Sequence, residues 1–404
     1  MKNSNQQPIN LRSIYQLLLS FLLFFIVSCE KETSEYTGKV ADLKANKTMD
    51  AGPYEFPGGL VFDISATPDG SIMVGLNEFS GERSIKLIKN GEISTMIGLD
   101  VATDVQGVES IGAGNAFFTT AGTDLAATGE LYRASKGRVR MVADLAKFER
   151  DNDPDAFEGL QWKNQQCEEE FTDNGDLVFS AGPQNNPYKL TAFDGETAIV
   201  ADAAGNTVLQ ATIEGDVDWK AILTPPLNPE GEWMQLFETT DGNEDITCYV
   251  QPVPTSVAIG DDGYVYVGEL TGATPEGLPV GLSRVWKMPA DGSNMVCSEI
   301  DGSSECNVLI GGLTSVIDLE IGPDGLLYVV QFDSNSWLSS VVSSIPWAGG
   351  SIIAINTETG QVENEVATGL VYPGAITFDK KGKLWVLENK LFIGESAIVR
   401  MLDY

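Results

Sequence analysis

The 404-residue chain has no histidine, and its 25 Lys and Arg stand against 58 Asp and Glu. The first absence excludes Ser-His-Asp and Cys-His catalysis, which need an imidazole to carry the proton. There is no CxxC either, so the usual zinc ligand sets are missing. The shortage of cations leaves a formal charge of −33. Such a surface repels phosphate backbones, and nucleic acid is not expected as a partner. Cysteine is scarce, with five in all. Long apolar runs are scarcer: "IYQLLLSFLLFFIV" at residues 14–27 stands out as the one near the start.

That run is shorter than the roughly 20 apolar residues of a membrane span. Lys2 and Arg12 precede it, and it stops at Ser28-Cys29. A basic start, an apolar middle and a small residue before the cut predict a secretory signal at residues 1–28. Ile26-Val27-Ser28-Cys29 resembles a bacterial lipobox, in which Cys29 is acylated. Residues 29–35 then form a polar tether, whose acids resemble the export tags of surface lipoproteins. A cell-envelope protein on the outer membrane is expected, facing either the periplasm or the outside. Membrane contact would run through the lipid anchor alone. Losing residues 1–28 removes two cations and no acid, which moves the charge from −33 to −35.

Cys167, Cys248, Cys297 and Cys306 remain. In an oxidising envelope an even count predicts disulfides. Cys297 and Cys306 flank "SEIDGSSE", whose Asp-Gly turn would fold a hairpin with the sulfurs opposed. Cys167 and Cys248 are left to pair with each other.

One phrase recurs along the chain. "VFDISATPDGSIMVGLNEF", "NPYKLTAFDGETAIVADAAG", "PTSVAIGDDGYVYVGELTG", "VIDLEIGPDGLLYVVQFDS" and "PGAITFDKKGKLWVLENKL" align on Gly70, Gly195, Gly263, Gly325 and Gly382. A weaker copy fits on Gly114. Each Gly separates two short runs of period-two hydrophobicity, the mark of a β-hairpin. Third strands follow, as in "SIKLIKNG" and "SRVWKMPADG", and fourth ones end as in "RMVADL" and "EVATGL". Four strands repeated six times predict an all-β, six-bladed propeller over residues 36–404. A β-sandwich or a two-domain β protein is the competing arrangement. The last copy stops one strand short at Tyr404. Residues 36–43, "YTGKVADL", are therefore expected to complete the last blade and remove an open edge. Two insertions break the rhythm, at 146–185 and 335–350, and both read as covers over one face of the disc. A short helix is expected at the start of the first, and a hairpin near "DNGDLVFS".

The repeat phrases, with the "ATGLVYPGAITF" to "SAIVRM" ending, resemble the ScyD/ScyE family of exported propellers related to NHL repeats. The likeness covers roughly residues 50–404. It implies a six-bladed propeller and brings no established reaction. A more distant likeness is to the metal-dependent gluconolactonases, which place Glu, Asn and Asp on a divalent ion after a Glu-Gly-Pro opening. Here the first blade reads "GGLVFDISATPDG" without that Glu, and "FEGLQW" lies in an insertion.

The repeat also places candidate site residues. Seven before the turn Gly, at the start of the channel-lining strand, stand Asp63, Tyr188, Ser256, Asp318 and Ala375. Six or seven after it, at the end of the second strand, stand Asn77, Thr120, Asp202, Glu269, Gln331 and Glu388. The channel-mouth set is thus Asp63, Asn186, Asp202, Glu269, Asp318, Gln331 and Glu388. If Asp202, Glu269 and Glu388 converged at about 7 Å, each pair would repel by roughly 2.4 kcal/mol at an effective dielectric near 20. Such a ring would hold a proton, water or a cation. With Asp202, Glu269 and Asp318 as ligands, all oxygen donors, Ca2+ or Mg2+ is the fitting metal. The competing expectation is that these side chains tie blades together through backbone N–H groups.

"DNDPDAFE" from Asp151 spaces its acids like a calcium loop, but Ala156 and Trp162 replace the Gly and Glu such a loop needs. Lys189 reads as a solvated salt-bridge partner or a base. Trp162, Trp337 and Trp347 could stack on a flat ring or cap the core. Two functions remain: a monomeric, lipid-anchored module binding a small molecule or protein, or a divalent-metal hydrolase or lyase at the channel mouth. The first is preferred, because no recognisable catalytic set is present.

Overall fold

The computed structural model describes residues 52–159, 166–169 and 181–403, apart from 276, 301, 304, 343 and 391–393. It is the expected six-bladed propeller. Strand β1 (Tyr54–Phe56) comes first, then a complete blade of β2 (Gly59–Ala66), β3 (Ile72–Glu78), β4 (Arg83–Lys89) and β5 (Glu92–Leu99). The second blade holds β6 (Asp104–Ser110), β7 (Asn115–Ala121), β8 (Glu130–Ser135) and β9 (Arg138–Asp144). Helix α1 (Leu145–Asn152) and a 3-10 turn (Pro154–Gly159) follow. The third blade comprises β10 (Pro187–Ala192), β11 (Thr197–Asp202), β12 (Thr207–Thr212) and β13 (Val217–Leu223).

A separate hairpin, β14 (Gln235–Asp241) with β15 (Glu244–Tyr249), precedes the fourth blade of β16 (Pro254–Ile259), β17 (Tyr264–Glu269), β18 (Ser283–Pro289) and β20 (Asn307–Leu313). Between the last two strands, β19 (Met295–Cys297) crosses over and pairs in parallel with β13. The fifth blade is β21 (Val316–Ile321), β22 (Leu327–Gln331), β23 (Gly350–Ile355) and β24 (Val362–Leu370). The sixth is β25 (Pro373–Phe378), β26 (Leu384–Asn389) and β27 (Ala397–Met401), completed by β1.

The closure differs from the expectation. Tyr54–Phe56, antiparallel to β27, is the borrowed strand. Residues 36–43 lie outside the described residues, as do "DNGDLVFS" and Trp162. Three residues carry no periodicity, so "YEF" gives no strand signal of its own.

Each blade is apolar on both faces because neighbours supply each other's core. Six buried clusters result, one between each neighbouring pair; Met73 and Ile85 meet Val105 and Phe118 between the first two blades, for example. Trp385 and Val399 meet Val61 and Ile72 across the closure. Each fully buried side chain of this size contributes about 1.5–3 kcal/mol. The fourth strands form the exposed rim, as in β5 and β24.

The first hairpin turns bear out the repeat. Gly70, Gly114, Gly263, Gly325 and Gly382 all have φ between 70° and 86°, where glycine is favoured. Gly195 is the exception. Tyr264 closes the fourth blade's turn onto Gly260, and Thr197 closes the third's onto Phe193. Glu196, not Gly195, therefore occupies the place of Gly263.

Both disulfides form as paired in the sequence, Cys167–Cys248 and Cys297–Cys306. The second does not close a hairpin. Cys297 ends β19 on the edge of the third blade, while Cys306 precedes β20 in the fourth. The bridge staples two neighbouring blades at their outer strands. The first joins the 146–185 insertion to β15.

Candidate functional site

The inner strands of all six blades carry a register irregularity near their start, for instance between Val61 and Ile64 and between Pro254 and Ser256. A bulge re-aims the side chains around it. Here it sends one residue per blade into the channel mouth: Phe62, Gln106, Tyr188, Thr255, Ile317 and Gly374. A second ring comes from the residue ending or just following each second strand: Glu78, Ala121, Ala203, Leu270, Phe332 and Asn389. Together with Trp337, Leu236 and Gln251 they enclose a cavity of about 650 Å³. Trp337 belongs to the 335–350 insertion, and its indole donates to Thr271 O at 3.0 Å. Leu236 comes from the β14–β15 hairpin, so two elaborations build the mouth wall. Trp347, 37% exposed, sits 5.8 Å from the Tyr372 ring.

Most of the predicted site residues do not open into this cavity. The second-strand set lies one residue short of it, on the opposite face of the strand, because side chains alternate. Glu269 is fully buried and accepts from Arg284 Nε at 2.7 Å, Arg284 Nη2 at 3.0 Å and Trp286 Nε1 at 2.8 Å. Asp202 accepts from the backbone N–H of Asn186 at 2.6 Å and from Asn185 Nδ2 at 2.9 Å. Glu388 accepts from Val371 N and Arg400 Nε, and Gln331 from Thr314 N. Thr120 donates to Glu130 Oε2. Asn77 both donates to Val105 O and accepts from Val105 N, stitching the first blade to the second. Asn77 and Asn186 do reach the cavity wall. Asp202, Glu269 and Asp318 share no partner with one another.

Two of the first-strand set, Asp63 and Asp318, meet at a buried lysine on the channel axis. Lys189 Nζ donates to Asp63 Oδ1 at 2.7 Å and to Gly374 O at 3.0 Å, and lies 3.1 Å from Asp318 Oδ1. Three alternate blades are thereby tied across the axis, with all three side chains buried. The other acid oxygens accept from Val108 N and Ile376 N of the next blades. Counting back from Gly195 reaches Tyr188, but the residue equivalent to Asp63 and Asp318 is Lys189. The shifted glycine hid it.

One ammonium cannot neutralise every acid here. Burial pushes Asp318 up to about 6, with Asp63 repulsion adding to it and Lys189 opposing it. Asp63 is raised for the same leading reason. Further along the channel Ser65 Oγ donates to Glu109 Oε2 at 2.8 Å. Glu109 is pushed up to about 7, by burial first, and Glu320 is raised well above the usual range.

A second acidic group stands beside the mouth. The carboxylate oxygens of Glu149, Asp153 and Asp155 lie within 4.8 Å of one another. Burial, then Asp202, Asp155 and Asp153, push Glu149 up to about 10. Asn206, on the cavity wall, donates to Asp155 Oδ2 at 2.9 Å. Asp151, the first acid of the calcium-like spacing, points elsewhere: it is exposed and pairs with Lys147.

No family model and no curated protein matches the chain. Among solved structures, it is similar to an oxidoreductase of glucose dehydrogenase type from Thermus thermophilus, at 14% identity and TM-score 0.50, covering 87% of this chain and 100% of that one. A gluconolactonase from Xanthomonas campestris matches at 9% identity and TM-score 0.44, over 85% and 87% of the two chains. The PQQ-bound aldose sugar dehydrogenase of Streptomyces coelicolor matches at 10% and 0.46, over 89% and 98%. At 14% identity the first of these likenesses shows the fold alone.

Proposed function

We propose that this protein is a lipid-anchored, envelope-located binding propeller whose channel mouth takes an uncharged, largely apolar small molecule. The observation that carries this reading is the composition of the cavity wall. In a chain of formal charge −33, the two rings of six hold a single carboxylate, Glu78, together with Phe62, Ile317, Leu270 and Phe332. The further charged side chains on the wall are Asp124 and the pair Arg83 and Asp104, which neutralise each other at 3.0 Å. A cavity of this size, apolar with a few orienting amides, has the form of a small-molecule site. Asn186 and Asn389 supply those amides; the Oδ1 of each is buried without a hydrogen-bond partner. A metal-dependent reaction led by Asp318 or Glu269 would first have to break the pairs with Lys189 and Arg284.

Calorimetry on the full chain with matched panels of uncharged aromatic, uncharged aliphatic and anionic compounds tests this. Uncharged compounds should bind, and Phe62→Ala should weaken them about tenfold, or roughly 1.4 kcal/mol. Binding confined to the anionic panel, or unmoved by Phe62→Ala, would reject the reading. The anchor rests on the lipobox-like ending at Cys29. Cys29→Ser should move the protein from the membrane to the soluble fraction, and an unchanged distribution removes that part.

A further inference from the structure

The end of α1 gathers negative charge where the backbone disfavours it. Glu149 lies in the last turn, Asp153 is the C-cap and Asp155 follows Pro154 in the 3-10 turn. A helix C-terminus carries a partial negative charge, so acids there are destabilising and cations favoured. The basic residue of that turn does not help, because Arg150 Nη1 donates to Ala126 O at 2.6 Å. Asp153 takes a left-handed conformation, φ 44° and ψ 63°, and its N–H returns to Glu149 O at 2.7 Å. That turn folds the three carboxylates onto one point.

The decisive side chain is Glu149. It is 1% exposed, and neither of its carboxylate oxygens has a hydrogen-bond partner. Among the described residues no Lys or Arg forms an ion pair with it. Oδ1 of Asp155, also buried, is likewise unpartnered, although Oδ2 is held by Asn206. Burying acceptors without donors costs several kcal/mol each, more when they are charged. A bound cation would offset that cost directly.

We infer that Glu149, Asp153 and Asp155 form a site for one calcium ion, which pins the start of the 146–185 insertion against the third blade. Hard carboxylate oxygens without nitrogen or sulfur suit calcium, and its tolerance of irregular geometry suits ligands from a helix end and a tight turn. Magnesium, which demands near-ideal octahedral geometry and keeps its water, fits less well. Through Asn206 the ion would steady the cavity wall, so the site supports the mouth without being part of it. The EF-hand-like spacing from Asp151 is not the basis, since Asp151 faces solvent.

The test is calcium uptake by the chelator-stripped full chain, read by calorimetry and by thermal unfolding. Wild type should take up one ion per chain, prefer calcium to magnesium, and unfold at higher temperature with calcium present. Glu149→Gln should weaken uptake at least tenfold, and without calcium it should unfold at or above the wild-type temperature, because it replaces a buried carboxyl that meets no donor with a neutral amide that can itself donate to the neighbouring acids. The second readout shows that the variant folds. No uptake by wild type, or uptake unchanged in Glu149→Gln, overturns the inference.

Discussion

The channel axis and the end of α1 both bury carboxylates, and they resolve the cost differently. On the axis, Asp63 and Asp318 share the ammonium of Lys189, and each fills its other oxygen with a backbone N–H. At the helix end, the carboxylate of Glu149 faces two others and meets no donor. The comparison teaches that a buried acid is informative through its partners rather than its presence. Partnered acids on the axis, and likewise Glu269 with Arg284, hold the blades in place. The unpartnered one leaves work for a ligand.

The strongest way to break the contrast is to remove the axial cation. Lys189→Met should leave two buried acids unpaired and cost about 3–5 kcal/mol in urea unfolding. A loss below about 1 kcal/mol, the scale of an exposed pair, would mean that the axis does not depend on this pairing.

A smaller effect comes from pH. Asp318 has a folded pKa raised to about 6 from an ordinary 3.8. A raised carboxyl binds its proton more tightly when folded, so its contribution is complete below about pH 4 and is lost as pH rises through about 6. Stability should therefore fall between about pH 4 and 7, with a contribution from Asp318 of order 3 kcal/mol. Asp318→Asn should flatten that fall. Equal slopes for wild type and variant in urea unfolding across this range would refute the assignment.

The smallest effect sharpens the contrast from the other side. Lys147 and Asp151 form an exposed i,i+4 pair on α1. Asp151→Ala should change stability by less than about 0.5 kcal/mol and leave calcium uptake unmoved. A large loss of uptake would restore the linear calcium loop starting at Asp151.

Much of the fold was legible because the propeller repeats a short local signal. Period-two hydrophobicity around a glycine turn needs no distant information, and six copies set the blade number. The short helix at the start of the first insertion and the two cysteine pairings were equally readable. The closing strand was less so, because Tyr54–Phe56 is defined by its partner β27 rather than by its own pattern. The crossover of β19 to the third blade was hidden for the same reason.

At the site, the repeat brought the reading to within one residue. Asp202 and Glu269 precede Ala203 and Leu270, which line the mouth, and alternation along a strand turns that single step into the opposite face. Bulges in the inner strands exchange faces at one position, and nothing in the residue types announces them. Composition and repeat by themselves determined that this is an acidic ring of six blades without histidine chemistry, since both act through local or summed properties. Which acids found a cation, which met only each other, and which side chains reached the cavity depended on residues far apart in the chain. Contacts such as Lys189 with Asp63 or Asn206 with Asp155 exist once the blades close, so the tertiary structure decided them.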